Sequence, residues 1–328
     1  MPTLDDVAQL AGVSKATASR ALARPELVAA ETIIRVRAAA EALGFEPNRI
    51  AQALARGRTG LVAMVVPNLE NSFFTPIIEG AQIEAEKAGY HLTIAVRGLD
   101  SDADQLAMER LSHQVDGFLL TAPQADETVI RRVSALAPTV LIEREISGIP
   151  SVIADTPTAF ASLATELANN GHRRIAYLGG PAGSWPNQQR TAAIARALEG
   201  RAELSVFGPF PPLAESGFEA ADAVTDSGAT AVIAYASPIS LGLMFALGSR
   251  RLNAPQGDDT AARIVVSGEE KMARAMGATG IPTINVDGVA IGTSSMQLLA
   301  TLLASKPLTS DSQVRLPVEV HWSEFAAS

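Results

Sequence analysis

From Leu61 onward, the chain repeats one pattern: a short apolar run rich in β-branched residues, followed by a segment whose apolar side chains have helical spacing. Strands that alternate with helices in this way form parallel sheets with helices on both faces. About nine such runs predict two doubly wound lobes, with a ligand crevice near the carboxyl ends of the strands. The predicted strands are Leu61–Val66, His91–Val96, Gly117–Thr121, Thr139–Glu143, Arg174–Gly179, Leu204–Phe207, Ala231–Tyr235, Ile264–Ser267 and Thr283–Val286.

The N-terminal part of the chain has the pattern of three short helices instead. Apolar residues at helical spacing begin at Leu4, and Gly12 can end that helix in a left-handed conformation. Ser14 can cap a second helix, Lys15 to about Ala23, and a third helix is expected from about Ala30 to Leu43. Two short helices joined by a glycine-containing turn form a helix-turn-helix. The sequence therefore predicts a small all-α head in front of the α/β body.

The charge of the chain is distributed unevenly between head and body. The whole chain has a net charge of -9, but residues 1–60 contain eight basic and six acidic side chains and so carry +2. The body behind them carries the remaining -11. An acidic body repels phosphate everywhere except at a basic head, which favours one docking orientation on a nucleic acid. Overall acidity is therefore compatible with DNA binding.

Composition and motifs argue against several other classes of protein. The chain has no cysteine and four histidines, and we find no phosphate-binding glycine loop, metal-ligand spacing or nucleophile motif. We therefore expect no enzyme activity, cofactor or metal. The best remaining catalytic pair, Glu269 and Glu270, is adjacent in sequence, and adjacent side chains usually point apart. The acidic start, and the absence of any apolar run of about 18 residues, predict a cytoplasmic protein without a membrane anchor. If the head binds DNA, the protein is expected to be nucleoid-associated.

Several motifs resemble one known family. They are TLDDVAQLAGVSKATASRAL, LGFEPNRIAQAL, NSFF after the first strand, and GHRRIAYLGG, which Arg190 follows. Together they resemble the lactose-repressor (LacI/GalR) family over essentially the whole chain. The resemblance implies a bacterial transcription regulator, a repressor, that binds a palindromic operator in double-stranded DNA as a homodimer. It also implies control by a small-molecule effector held between the two lobes.

The resemblance implies the following domain boundaries. Residues 1–46 form a helix-turn-helix DNA-binding domain, and 47–59 form a hinge helix and linker that is too short to be a stable helix alone. Residues 60–328 form a two-lobed, periplasmic-binding-protein-like domain for effector binding and dimerisation. Its N-lobe takes about 60–158 and 288–318, and its C-lobe takes about 159–287 and 319–328. The fold class is thus an all-α helix-turn-helix head plus an α/β body of two doubly wound parallel-sheet lobes.

The second helix of the head is expected to read base edges in the major groove. By resemblance Lys15, Ala16 and Arg20 face the bases, where Lys or Arg can pair with guanine and the Ala16 methyl can touch a thymine methyl. Alternatively, Arg20 is an ordinary solvated arginine and Ser14 only a helix cap. The positions assigned to phosphate contacts are Ser14, Thr17, Ser19 and Asn48, and Thr3 is also assigned to DNA.

Leu54 in the hinge occupies the position of a leucine that the family inserts between base pairs from the minor groove. Such an apolar wedge unstacks one step and kinks the DNA. The alternative is an apolar hinge residue that packs against the head. Because a short hinge should become ordered only when two copies pair on DNA, its folding can couple DNA binding to the body.

The resemblance also assigns an effector site in the crevice of the body. An arginine beside acids suits hydroxyl groups, and an aromatic face suits a sugar ring, so a sugar or sugar-like effector is expected. A nucleoside or purine is the alternative ligand. The alternatives for single residues are a structural role for Asp287 and a surface role for Arg190. The assigned positions are Phe73, Glu143, Arg190, Phe218, Glu269 and Asp287.

The chain departs from the family pattern at several of these positions. It has Ala236-Ser237 where the family usually has Asn-Asp, and Glu269-Glu270 where the family has an Asp pair, so the effector cannot be copied from relatives. Ala29-Ala30 replaces the usual capping serine and proline, which costs the third helix about 1 kcal/mol. A transporter's solute-binding protein is the rival interpretation, but the head and the missing signal sequence argue against it. Effector, operator, regulated genes and direction of control stay open.

Overall fold

The chain consists of two compact units, Met1–Gly60 and Leu61–Ser328. The computed structural model describes residues 2–23, 27–45, 58–253, 265–266, 268–269, 282–304 and 312–321. The predicted hinge, with Asn48 and Leu54, lies almost entirely outside the described residues, so the domain boundaries proposed from the sequence stay a prediction. None of the described helices is both long and apolar enough to cross a membrane.

The first unit contains the three predicted helices, α1 (Leu4–Ala11), α2 (Lys15–Ala23) and α3 (Ala30–Leu43). Gly12 ends α1 with φ +66°, as its position in the sequence predicts. Ser14 caps α2, because its Oγ accepts a hydrogen bond from the Thr17 amide at 3.1 Å. The buried core is built mainly of small side chains, which are Val7, Ala8, Ala11, Ala18, Ala21, Val36, Ala39 and Ala40.

The start of α3 lacks the side-chain cap that the other two helices of the head have. Ala29 occupies the N-cap position with φ -58° and ψ 139°, and no side chain accepts from the first turn. A serine fits this backbone and can accept from an amide of the first turn. We expect Ala29→Ser to raise the free energy of unfolding of the head by about 1 kcal/mol. Chemical denaturation of the full chain, followed by a probe in the head, checks this, and Ala29→Gly, which adds no acceptor, is the control.

The second unit alternates strands and helices. Its described strands are β1 (Leu61–Val66), β2 (His91–Val96), β3 (Gly117–Thr121), β4 (Thr139–Ile142), β5 (Ser151–Ala154), β6 (Arg174–Leu178), β7 (Glu203–Phe207), β8 (Ala231–Ala234), β9 (Val265–Val266), β10 (Gly268–Glu269), β11 (Thr283–Asn285), β12 (Gln313–Leu316) and β13 (Glu319–His321). Its described helices are α4 (Phe74–Lys87), α5 (Asp102–Ser112), α6 (Glu127–Ser134), α7 (Thr156–Asn169), α8 (Trp185–Leu198), α9 (Ala214–Asp226), α10 (Ser237–Asn253) and α11 (Gly288–Leu303).

One lobe is built on a parallel six-stranded sheet in the order β2-β1-β3-β4-β5-β12. One face packs against α4 and α11, through side chains such as Ile77 and Leu299. The other face packs in a second core that includes Met108 of α5 and Ile130 of α6. Layers on both faces explain why the central strands β1, β3 and β4 are almost uninterrupted apolar runs.

The other lobe contains the parallel sheet β7-β6-β8-β9 and a three-stranded sheet β10-β11-β13, in which β13 is antiparallel to β11. Only one residue separates β9 from β10, so the same segment contributes to both sheets. The chain passes between lobes where β5 leads into α7, where β11 leads into α11, and where β12 leads into β13.

The sequence pattern missed some strands and extended others by one residue. It did not predict β5, β10, β12 or β13, which are two to four residues long. It placed Glu143, Tyr235 and Val286 inside strands that in fact end just before them. This difference matters, because all three residues turn into a cavity at the carboxyl ends of β4, β8 and β11.

Candidate functional site

The carboxyl ends of strands from both lobes surround a cavity of about 420 Å³. Its size lies within the range of small-molecule sites. The six-stranded lobe contributes Phe73, Gln124 and Glu143 to the wall, and the other lobe contributes Arg190 and Tyr235. A ligand in this cavity would therefore contact both lobes at once, as expected for a crevice site in a doubly wound fold.

Glu143 is the buried acid of the cavity. It follows β4 in a left-handed conformation, φ +57°, and its side chain is only 2% exposed. Its Oε1 accepts a hydrogen bond from the Ala154 amide at 2.7 Å. Burial raises the pKa of Glu143, while the charge of Arg190 and the Ala154 amide oppose that rise. The hydrogen bond from the Ala154 amide holds the carboxyl group at the cavity wall.

Arg190 provides the buried positive charge of the cavity, and 6% of its surface is exposed. It lies on α8, and its Nε donates to Thr156 Oγ1 at 2.9 Å. Its Nη1 donates to the backbone carbonyl of Tyr235 at 3.1 Å. The guanidinium carbon lies 4.9 Å from the centroid of the Phe160 ring and 4.9 Å from that of the Tyr235 ring. Cation–π contacts with two aromatic residues, added to two hydrogen bonds, hold this group in one orientation.

Tyr235 is fixed on both sides. Its hydroxyl shares a hydrogen bond of 3.1 Å with Ser184 Oγ, and Ser184 caps α8. Its ring covers the backbone of Gly180 so closely that a Cβ on Gly180 would lie 2.6 Å from the ring. Only glycine fits there, and the loop from Gly180 to Ser184 thus supports the aromatic residue that supports Arg190.

The structure brings three of the predicted effector residues to this cavity, namely Phe73, Glu143 and Arg190. Phe218 does not line it; it lies on α9 with half of its surface exposed. Asp287 does not line it either, because its Oδ1 accepts from the Ala290 amide at 2.9 Å and caps α11. The side chain of Glu269 lies outside the described residues.

Sequence reasoning missed the residues that hold Arg190, which are Thr156, Phe160 and Tyr235. They come from the start of α7 and from the end of β8, so no local motif connects them with α8. The signal that the sequence did offer was the position of Tyr235 at the end of a predicted strand. In a parallel sheet, such positions meet at one edge.

The head presents most of the predicted DNA-contacting residues on its surface. Thr3, Ser14, Lys15, Ala16 and Arg20 are exposed, while Thr17 and Ser19 are half-buried. Within the head these residues already have partners: Lys15 Nζ lies 2.6 Å from Asp5 Oδ2, Thr3 forms a capping box with Asp6, and Ser14 Oγ lies 2.9 Å from Thr17 Oγ1. The exposed Lys15–Asp5 pair contributes little to stability and can open to release the ammonium group.

Comparison with known proteins supplies matches for both units. Residues 3–48 match the family model described as bacterial regulatory proteins, lacI family. Residues 59–307 match the model described as periplasmic binding proteins and sugar binding domain of LacI family. The two models together cover most of the chain, and they meet at the segment between head and body.

Individual relatives agree with these models. The chain is 30% identical to the HTH-type transcriptional regulator PtxS of Pseudomonas plecoglossicida over 62% of its length, a segment that spans 61% of that relative. It is 31% identical to the maltose regulon regulatory protein MalI of Escherichia coli (strain K12) over 75% of both chains. Among solved structures, the lac repressor dimer bound to operator and the anti-inducer ONPF matches 100% of this chain and 99% of its own, with 25% identity and a TM-score of 0.83.

Proposed function

The chain belongs to the LacI family of bacterial regulatory proteins, and on that premise we propose that it is a transcriptional repressor that binds a palindromic operator as a homodimer. A small-molecule effector in the cavity between the lobes controls its affinity for the operator. The family is one of DNA-binding regulators rather than of enzymes. The observation that carries the proposal is one chain with both an exposed helix-turn-helix and a ligand-sized cavity built on Arg190.

The exposed face of α2 supports the first half of the proposal. Its first turn presents Lys15 and Ala16, and Arg20 follows on the same helix with its side chain in solvent. An arginine there can form two hydrogen bonds with the O6 and N7 atoms of guanine, which discriminates against the wrong base. The capped start of α2 at Ser14 is suited to a phosphate, because free backbone amides point outward at a helix N-terminus. Asn48 and Leu54, which lie outside the described residues, complete the proposed interface.

The cavity supports the second half of the proposal, which is control by a small-molecule effector. Its polar lining residues include Arg190, Glu143, Gln124 and Asn68, and its apolar lining residues include Phe73. Donors and acceptors spaced around an apolar wall suit a polyhydroxylated ring or chain, so we assign the effector to the sugars and their derivatives. The family model over the body also carries the words sugar binding domain. A nucleoside or purine is less well supported, since Arg190 already occupies one face of both Phe160 and Tyr235, where a base would stack.

An apolar surface on the six-stranded lobe supports dimerisation. Ile83 on α4, Ile94 and Val96 on the edge strand β2, and Leu106 on α5 are exposed. Large apolar side chains that are exposed on a domain are candidates for a protein interface, and an edge strand needs cover. A two-fold dimer presents two α2 helices to two half-sites, which explains why the operator should be palindromic. We place this dimer in the cytoplasm at the nucleoid.

Arg20 provides the test of operator binding. An operator is first selected from a pool of random duplexes with the purified full-length chain, and a palindromic consensus is expected. Arg20→Ala should then lower operator affinity by about 1–3 kcal/mol per half-site and relax the preference at one guanine position. Fluorescence anisotropy at fixed salt concentration, with the consensus and with each single-base variant, measures both effects.

Arg37→Ala is the matched control, because Arg37 is exposed on α3 and the variant loses the same charge. It should weaken binding of all sequences alike. If Arg20→Ala and Arg37→Ala gave equal losses with unchanged base preference, α2 would not be the reading helix. If no duplex were enriched at all, the proposed function itself would be wrong.

A further inference from the structure

A second cavity lies beside the effector cavity, at the carboxyl ends of β1, β3, β6 and β7, and has a volume of about 310 Å³. The four loops that form it all lie within the described range 58–253. We call the effector cavity the inner cavity and this second one the outer cavity. The two are adjacent compartments of one crevice, because they share the lining residues Asn68, Gln124, Pro181 and Pro212.

One wall of the outer cavity offers few hydrogen bonds. This wall is the segment 209–213, which follows β7, and three of its five residues are prolines, which have no backbone N–H. The Leu213 N–H already donates to the Pro211 carbonyl at 2.8 Å, and Ser216 Oγ donates to the same carbonyl at 2.9 Å. A ligand group placed against this wall therefore finds mainly apolar surface.

Phe210 gives the same wall an aromatic side chain in a restricted position. It is half-buried, because it packs partly against the core of its lobe and also lines the outer cavity. Its ring lies close to the backbone of Gly208, since a Cβ built on Gly208 would be 3.2 Å from a ring carbon. The prolines on both sides have a fixed φ, which restricts the segment further. An aromatic ring beside proline rings suits a flat apolar group.

Two side-chain amides mark the junction of the two cavities. Asn68 and Gln124 line both of them. Asn68 Oδ1 accepts hydrogen bonds from the Glu70 amide at 3.2 Å and from the Asn71 amide at 3.1 Å, which leaves its NH₂ group as a donor for a ligand. A donor at this junction suits an ether oxygen that links two parts of a ligand. Along the crevice, the chemistry thus changes from charged, through amide, to apolar.

From this order we propose that the effector is a neutral glycoside with an apolar ring as its aglycone. The sugar occupies the inner cavity, the glycosidic oxygen lies at Asn68 and Gln124, and the aglycone lies against Phe210 in the outer cavity. The inference rests on the proposed function, whose effector it specifies.

The outer cavity favours an apolar ring over a second sugar or an acid. A second sugar ring would bring hydroxyl groups to a wall that is poor in donors and leave some of them unpaired, whereas an apolar ring gains by leaving water. Glu70 lines the outer cavity and is exposed, so its carboxylate disfavours an acidic aglycone. The second group is therefore expected to be uncharged and poor in hydroxyl groups.

The test compares ligands that share one sugar and differ in the second group. The purified full-length protein is titrated calorimetrically with the methyl and phenyl glycosides of β-D-glucose, α-D-glucose and β-D-galactose, and with the matching disaccharides cellobiose, maltose and lactose. In at least one of the three series, we expect the phenyl glycoside to bind about tenfold more tightly than both the methyl glycoside and the disaccharide. The proposal is overturned if no phenyl glycoside binds, or if the methyl glycoside or the disaccharide binds as tightly in every series.

Variants of Phe210 decide whether the outer cavity is responsible for the preference. Phe210→Ala should lower the affinity for the phenyl glycoside to about that for the methyl glycoside, whose affinity should not change. Phe210→Leu keeps apolar contact with the core but loses the flat face, and an intermediate loss is expected. Phe245→Ala, which removes an exposed phenyl ring from α10, is the control and should leave the preference unchanged.

Circular dichroism of each variant shows whether it is folded, and Phe210→Leu serves if Phe210→Ala is not. A phenyl preference that persists undiminished in a folded Phe210 variant would place the aglycone elsewhere and overturn the proposal. Operator binding is measured in parallel on the same samples. A protein that binds its operator but shows no phenyl preference contradicts only the glycoside assignment. A protein that binds no operator contradicts the proposed function instead, so the two failures are distinguishable.

Discussion

Replacing Arg190 by alanine is expected to abolish the effect of the effector on operator binding while leaving the affinity of the ligand-free protein for its operator unchanged. The side chain lines the cavity, and it belongs to α8 in the second unit, whereas the proposed DNA contacts belong to the first unit and the hinge. A hydrogen bond to a charged group contributes about 1.5–3 kcal/mol, so loss of a two-bond contact should weaken effector binding at least about a hundredfold. At concentrations that saturate the parent protein, the effector then no longer fills the cavity and no longer changes operator affinity.

Anisotropy titrations of labelled operator, with and without saturating effector, measure this result. Arg196→Ala is the control, since it removes a charge from the same helix at an exposed position outside the cavity wall. Its response to effector should equal that of the parent protein. An unchanged response in Arg190→Ala would place the effector in another site. A loss of ligand-free operator binding would show instead that Arg190 supports the overall structure of the body.

The second large effect is expected at Gly242, where α10 crosses α9. A Cβ at Gly242 would lie 1.8 Å from the backbone oxygen of Ala214, and a Cβ at Gly217 would lie 2.2 Å from the backbone oxygen of Ile239. The two helices thus approach through glycine on both sides, and backbone atoms cannot move away as a side chain can. We expect Gly242→Ala to lower the free energy of unfolding of the body by about 3 kcal/mol, because two well-packed helices must separate.

Gly248 on the same helix is the matched control. No atom lies within 4 Å of a Cβ built there, and its φ is not in the left-handed region. Gly248→Ala should therefore stabilise the body by about 1 kcal/mol, since alanine is the better helix former. Urea denaturation of both variants measures the difference. Equal effects of the two substitutions would contradict the close crossing of α9 and α10.

The elements of the fold could be predicted from the sequence where local pattern and tertiary environment agree. Strand β1 is a continuous apolar run, because helices cover both faces of its sheet, and its bounds are the predicted ones. Helix α3 ends at Gly44 in a left-handed conformation, as the pattern indicates. The missed strands β5, β10, β12 and β13 are short, and β13 alternates between exposed and half-buried residues. Such segments become strands because a neighbouring strand offers them hydrogen bonds.

Part of the candidate site could likewise be predicted from the sequence, and part could not. Glu143 and Arg190 were assigned by resemblance to a family, and the structure brings both to the cavity. Phe218 and Asp287 were assigned on the same ground, and neither lines it among the described residues. A family motif assigns a role to a position in the sequence. The direction of the side chain at that position depends on the turn in which it lies. Asp287 caps α11, and that local hydrogen bond keeps its carboxylate at the helix end.

By itself, the sequence determined the order of the longer helices and strands, the two kinds of unit and the family, because periodicity, helix stops and motifs are local properties of the chain. Only the tertiary structure decided that Phe160 and Tyr235 contact the guanidinium of Arg190, and that Thr156 orients it. These residues come from α7, α8 and the end of β8, and they meet only because parallel strands end at one edge of a sheet.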